Sequence, residues 1–372
     1  MTHERGSQPA APLRIAVIAP LVSPIAEPQI GGAQVVVSDL ARGLVARGHD
    51  VTMYAAEGSR VEGVAVTTLG IDADAFISDT FRHDGQATAS RALVEAYATV
   101  YAHVRGRRFD VVHNHGYDAP AITEALRAGI PVLHTLHLPP AAAIIDAVTE
   151  ARTSRTPAWF FGVSNSHAAA WQLHIPKVGI LANGVPVDAI PYSHVARRAA
   201  VIASRFSAEK GMAEGIAAAR QAEWPVTVFG TPYDADYEAA VRARWSDDPG
   251  VRFHPAVERE ALWRALAGAG AVLALVRWDE PFGMVAAEAQ AAGTPVVATR
   301  RGALAAIIHD GETGALVETD DIGAAVTALD RVDTLDRAAC RRHAVEHLSL
   351  SRSIARHEDV YARVAALART TV

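Results

Sequence analysis

Short apolar runs alternate with amphipathic stretches along most of the chain. The first run, "LRIAVIAP" at 13–20, reads as a buried strand. After the loop "LVSPIAEPQIGGAQ" comes "VVVSDLARGLVARG", whose apolar positions recur at helical spacing. Further strands are predicted at 50–55, 64–70, 110–115, 131–137 and 158–164, with helices between most of them, notably over 86–105 and 117–128. Such alternation implies a mostly parallel sheet with helices on both faces. The pattern slackens through "AIPYSHVARRA" and then restarts. Strands are predicted at 200–206, 225–230, 251–254, 271–276, 295–299 and 314–318, with helices at 211–222 and 233–245. The expected fold is therefore α/β: two doubly wound, Rossmann-like domains at 13–190 and 196–349, facing a central cleft. A last helix, 351–369, is a candidate to pack back on the first domain.

Composition narrows the function classes. Half of the 372 residues are hydrophobic and a fifth are charged, as in a globular protein. The formal charge of −6 mixes both signs, so no basic face points to nucleic acid. A single cysteine, Cys340, excludes a disulfide framework or a cysteine-based zinc cluster. "MTHERGSQPAAP" is polar and proline-rich, unlike a signal peptide, and no apolar run approaches the roughly 20 residues that span a bilayer. A cytoplasmic protein is expected.

Ligands of doubly wound sheets bind beyond the carboxyl ends of the strands, so polar residues that follow strands carry the most weight. "RWDEPFG" follows the strand at 271–276, and "MVAAEAQAAG" is the helix after it. Backbone N–H groups near Phe282, Gly283 and Met284 open that helix, and such an end favours an anion such as phosphate. Glu280 stands at the mouth of the site, and Glu288 more than a turn inside, on a helix lined with alanine. A carboxylate accepts two hydrogen bonds at once, which suits adjacent sugar hydroxyls. The plainer reading makes Glu280 a complement to the helix dipole and Glu288 part of a solvated face. Arg205 and Lys210 lie in the loop after the second domain's first strand. Two cations there could neutralise a departing diphosphate, although loop cations are more often simply solvated.

"EPFGMVAAEAQAAGTPVVAT" closely resembles the glutamate-x7-glutamate signature of the retaining glycosyltransferases of family 4, which have the two-domain GT-B fold. In that family the first glutamate holds the transferred sugar and the second the nucleotide ribose, positions matched by Glu280 and Glu288. Phe282, Gly283, Met284 and Val285 match the segment whose amides meet the diphosphate. "IASRFSAEKG" resembles the diphosphate clamp, with Arg205 and Lys210 at its cationic positions. "QIGGAQVVVSDLARGLVARGHDVTMYA" is similar to the N-terminal glycine loop, which implies that Gly31 and Gly32 approach the donor's phosphates from the other domain. "VSNSHAAAW" and "LANGVPVD" match in order, placing Ser164, Asn183 and Gly184 at strand ends facing the cleft. Thr135–Leu136–His137 fits the family's acceptor-side histidine, which puts His137 near the transferred sugar, while His134 points to the opposite face of its strand. The matches run from about 13 to 318.

The resemblance implies a metal-independent hexosyltransferase with a nucleotide-diphosphate sugar as co-substrate, no separate cofactor, and a hydroxyl-bearing acceptor. "HNH" puts His113 and His115 on one face, but without further ligands at metal spacing a polar strand end is the simpler reading. A dehydrogenase is excluded because no G-x-G-x-x-G follows the first strand. Two alternatives stay open: a sugar-nucleotide-binding protein without catalysis, and the same fold acting on a membrane lipid. For the latter, "YAHVRGRRFD" offers only Arg105, Arg107 and Arg108. The loop at 21–32 and the segment 71–86 are expected to shape the acceptor pocket.

Overall fold

The computed structural model describes residues 11–76 and 89–370. The expected helix over 86–105 and acceptor segment 71–86 therefore fall partly outside the described residues. Seven strands form the first sheet: β1 Arg14–Ile18, β2 Asp50–Tyr54, β3 Ala65–Thr67, β4 Val111–Asn114, β5 Val132–Leu136, β6 Ala158–Gly162 and β7 Gly179–Ile180. Their order is β3-β2-β1-β4-β5-β6-β7, parallel throughout. Six form the second: β8 Arg197–Arg205, β9 Val226–Thr231, β10 Val251–His254, β11 Ala269–Ala274, β12 Val296–Thr299 and β13 Gly314–Val317. These run β10-β9-β8-β11-β12-β13, again all parallel. In each sheet the strand order reverses beside the first strand, between β1 and β4 and between β8 and β11. That reversal opens the crevice in which such folds bind ligands.

The sequence explains the local choices. Strands such as β1 and β12 are runs of Val, Ile and Ala buried almost without interruption, because helices cover both sheet faces. The helix Arg91–Arg105 buries Leu93, Ala96, Tyr97, Val100, Tyr101 and Val104, a stripe at three- and four-residue spacing. It starts where the Ser90 hydroxyl accepts from the Leu93 N–H at 3.1 Å. No helix among the described residues is long and apolar enough to cross a membrane.

The chain crosses between the sheets twice, and the crossings pair. Val185 donates to Leu348 O and Leu350 donates to Val185 O, each at 2.8 Å. From there the closing helix, Leu350–Thr370, returns to the first domain. Ile354, Val360, Tyr361 and Val364 enter the core built on Ile15, Val17, Leu40 and Leu44. Arg47 on the outside of that seam holds Glu358 at 2.7 Å.

Candidate active site

β11 ends at Ala274, two residues before the predicted strand end, and the loop that follows carries Trp278, Glu280 and Phe282. Phe282 is buried in the second domain's core and anchors the loop. Gly283 then adopts φ +91°, in the left-handed region, and the helix Met284–Ala291 begins. No side chain caps that helix, so its first N–H groups, including those of Met284 and Val285, stay open to a ligand. The first domain's helix Gly32–Ala46 also starts without a side-chain cap, at Gly31. A Cβ built on Gly32 would lie 3.5 Å from Met284 Cγ, so the two open helix ends face each other across the cleft. Two aligned partial positive charges there suit a diphosphate.

The cations stand beside these ends. Lys210 closes a short 3₁₀ turn after β8, and its Nζ lies 2.7 Å from Glu280 Oε2. The Trp278 indole N–H donates to the same oxygen at 2.9 Å, and the Trp278 ring lies 4.4 Å from the ammonium. Arg205 holds Glu209 at 2.8 Å and stacks over Tyr233 at 4.4 Å. Each cation thus has a carboxylate and an aromatic wall, which fixes its position before any ligand arrives. Burial pushes the Glu209 carboxyl up, but hydrogen bonds from Arg205 and Ser207 outweigh it and hold the group below its ordinary range.

Glu288 is 3% exposed rather than on a solvated face. Its Oε1 accepts from Arg259 at 2.9 Å, and Arg259 reaches across the cleft to Asp39 Oδ1 at 2.7 Å. Burial works against the guanidinium charge, yet the two carboxylates outweigh it and raise its pKa. Burial raises the Asp39 carboxyl in turn, with Arg259 opposing. A second tie spans the domains nearby. The Ser164 hydroxyl, which caps the helix Asn165–Gln172, donates to Pro281 O at 2.6 Å. Gly184 abuts the Ser349 backbone at the interdomain crossing, where a Cβ would lie 2.7 Å from the Ser349 carbonyl oxygen.

On the first domain's side, a cavity is lined by Gly116, Tyr117, Asp118, His134, His137 and Trp171. His134 and His137 share it, contrary to the opposite faces expected, because His137 lies past the last residue of β5 and strand alternation no longer applies. The Leu138 carbonyl accepts from His167 and Trp171 at 2.8 and 3.0 Å, which fixes the turn after His137. Burial pushes His134 and His137 down to about 3, so both are neutral at pH 7. Burial pushes Asp118 up to about 7, with the nearby Tyr97 hydroxyl opposing. Tyr117 connects this cavity to the clamp: burial and Asp118 raise its phenol, and Arg205 of the second domain pulls it down. Among the described residues no group of three or more His, Cys, Asp or Glu is placed to hold a metal ion.

Residues 30–189 match the family described as Glycosyltransferase Family 4, and residues 195–344 match Glycosyl transferases group 1. A D-inositol 3-phosphate glycosyltransferase of Mycobacterium sp. (strain KMS) is 30% identical over 383 residues, covering 90% of this chain and 86% of that relative. The chain belongs to glycosyltransferase family 4. Its GT-B fold is shared with AviGT4, a glycosyltransferase involved in avilamycin A biosynthesis (TM-score 0.69, 22% identity, 95% of this chain and 98% of the other). It is also shared with a sucrose-phosphate synthase from Thermosynechococcus elongatus (TM-score 0.75, 17% identity, 95% and 100%) and with Anabaena HepE, solved with UDP and glucose (TM-score 0.72, 17% identity, 94% and 99%).

In this glycosyltransferase the cleft brings together Gly31, Gly32, Lys210, Glu280, Gly283, Met284 and Glu288. Arg205 stands one loop turn from Lys210, and His137 opens into the adjoining cavity of the first domain. Sequence reasoning missed Asp39, Arg259, Glu209 and Trp278. Trp278 was within reach, two residues before Glu280 on the same loop. Arg259 opens the helix after β10, five residues past His254, so its place behind a strand was the available signal, whereas its two carboxylate partners emerge only from the fold.

Proposed function

We propose that this enzyme transfers a hexosyl group, with retention, from a nucleotide-diphosphate sugar to an acceptor hydroxyl. The observation that carries the reading is the Lys210–Glu280 pair, 2.7 Å apart beside two facing, uncapped helix ends. The diphosphate takes its place at those ends, along the amides of Gly31, Gly32, Gly283, Met284 and Val285. Arg205 and Lys210 meet the charge that grows on the leaving phosphate as the glycosidic bond breaks. Glu280 holds the transferred sugar, and Glu288, oriented by Arg259, accepts from the ribose. His137 approaches the reacting centre from the first domain. No carboxylate nucleophile is assigned, so the reading is a front-face displacement in which the leaving phosphate takes the acceptor's proton. Positive potential comes from the two cations and the helix ends, and no metal is required of the donor site.

The acceptor enters through the cavity of the first domain. Relatives named D-inositol 3-phosphate glycosyltransferase make a cyclic polyol the first acceptor class to try. UDP- and ADP-sugars come first among donors, because structural relatives were solved with UDP, UDP-glucose or ADP. The test offers UDP-, ADP- and GDP-glucose with a panel of polyol and glycoside acceptors, with and without EDTA. Nucleotide diphosphate release is followed by assay, and the product anomer by proton NMR. An α-linked product from an α-donor, formed equally with EDTA present, is expected. An inverted anomer, or release that depends on a divalent ion, overturns the reading.

A further inference from the structure

The "HNH" histidines belong to a buried chain of contacts that ends at His137. His137 Nε2 lies 2.9 Å from His115 Nδ1, and His115 Nε2 lies 3.2 Å from His113 Nδ1. His113 Nδ1 also meets the Tyr361 hydroxyl at 2.6 Å, and His113 Nε2 meets the Thr135 hydroxyl at 2.7 Å. Tyr361 is on the closing helix, so the chain of contacts runs from the reacting side of β5 to the last element of the fold. His113, His115 and Tyr361 are fully buried.

We propose that this chain, anchored by Tyr361, locks His137 in its Nε2–H tautomer and leaves a bare Nδ1 lone pair for a hydroxyl in the cavity. A neutral imidazole has one donor and one acceptor nitrogen, so fixing one ring fixes the next. Burial keeps His113 and His115 neutral, with neighbouring histidines acting in the same direction. Burial likewise keeps the Tyr361 phenol protonated. Of the two hydroxyls that flank His113, the phenol is much the stronger acid, with a reference pKa of about 10. It also makes the shorter contact, so it donates to Nδ1. His113 then carries its proton on Nε2 and donates to Thr135. His113 Nδ1 then carries no proton, and a bare His115 Nε2 at 3.2 Å would set lone pair against lone pair, so His115 is protonated on Nε2, shares that acceptor with the phenol, and leaves its own Nδ1 as an acceptor. His137 must therefore donate from Nε2. His113, His115 and Tyr361 are positioning residues, and only His137 is placed to touch substrate. The inference rests on the reading of His137 above for its consequence, but not for the tautomer itself.

The test is a long-range proton–nitrogen NMR spectrum of histidine-labelled protein, with the His137 signals assigned by their loss in His137→Gln. Wild-type protein should show a protonated Nε2 and an unprotonated Nδ1. A protonated Nδ1 overturns the proposal without any further variant. Tyr361→Phe removes one hydroxyl and should shift His137 toward a mixture of tautomers. Its transfer rate should fall about tenfold, with nucleotide diphosphate affinity within about threefold of wild type. A tautomer that does not move in Tyr361→Phe also overturns the relay. If His137→Ala transfers at the wild-type rate while the tautomer results hold, the placement of His137 at the reacting centre falls and the relay stands.

Discussion

Lowering the pH from 8 to 5 should unfold the first domain, because it buries neutral histidines that the unfolded chain protonates. His134 and His137 are pushed down to about 3 and His357 to about 4, each chiefly by burial. A histidine depressed in the folded state contributes full stability above its unfolded pKa of about 6.5. That stability is lost as pH falls toward the folded value. By pH 5 each of the three has forfeited about 2 kcal/mol, about 6 kcal/mol together. His113 and His115, also pushed well down by burial, add to the loss. Asp118 acts in the opposite sense. Raised to about 7, it is protonated in the folded state first and returns about 2–3 kcal/mol over the same interval. The net loss is comparable with the whole stability of a typical domain. Urea unfolding at pH 8, 7, 6 and 5.5, followed by circular dichroism, should give a midpoint that falls steeply below pH 6.5. Calorimetry should show the first domain melting ahead of the second. Asp118→Asn should raise stability at pH 8 and steepen the acid response. A midpoint that is flat or rising between pH 7 and 5.5 would refute the argument.

Lys210→Ala should lower kcat about 10²–10³-fold, the scale of losing one preorganised electrostatic contact, and wild-type turnover at saturating donor would sink that role. Glu288→Gln should weaken binding of both the free nucleotide diphosphate and the full donor, whereas Glu280→Gln should spare the free nucleotide yet damage transfer. Calorimetry with nucleotide alone separates the two, and equal weakening in both would show the roles to be misassigned. Gly283→Ala should cost on the order of 1–3 kcal/mol of second-domain stability, because φ is +91° and the new Cβ would meet Leu304 Cδ2 at 2.7 Å. An unchanged urea midpoint would contradict it.

Much of this architecture is legible along the chain, and the limits have a physical cause. A strand such as β12, "VVAT", announces itself because burial on both faces demands an unbroken apolar run. Glu280, Gly283 and Lys210 are legible because loops after parallel strands must face the crevice. Asp39 is not. It sits mid-helix between Ser38 and Leu40, and its partner Arg259 is 220 residues away. The histidine chain was half visible: "HNH" flagged two rings on one face, but Tyr361 joins them only when the last helix folds back. Local patterns report what each element buries, whereas long-range polar pairing is fixed by how the elements meet.

The return of the closing helix also has a consequence for how the protein is made. β7 ends at Ile180, but the helix that completes the first domain's core begins at Leu350. At about 5–20 residues per second, a ribosome would leave that core open for roughly 10–30 s while the second domain is translated. During this interval Ile15, Val17 and Leu44 lack the apolar cover that Ile354 and Val364 later supply. The nascent first domain therefore presents apolar surface to its surroundings until the last helix arrives. A gene truncated just before codon 350 should yield a second domain that folds beside a first domain that aggregates.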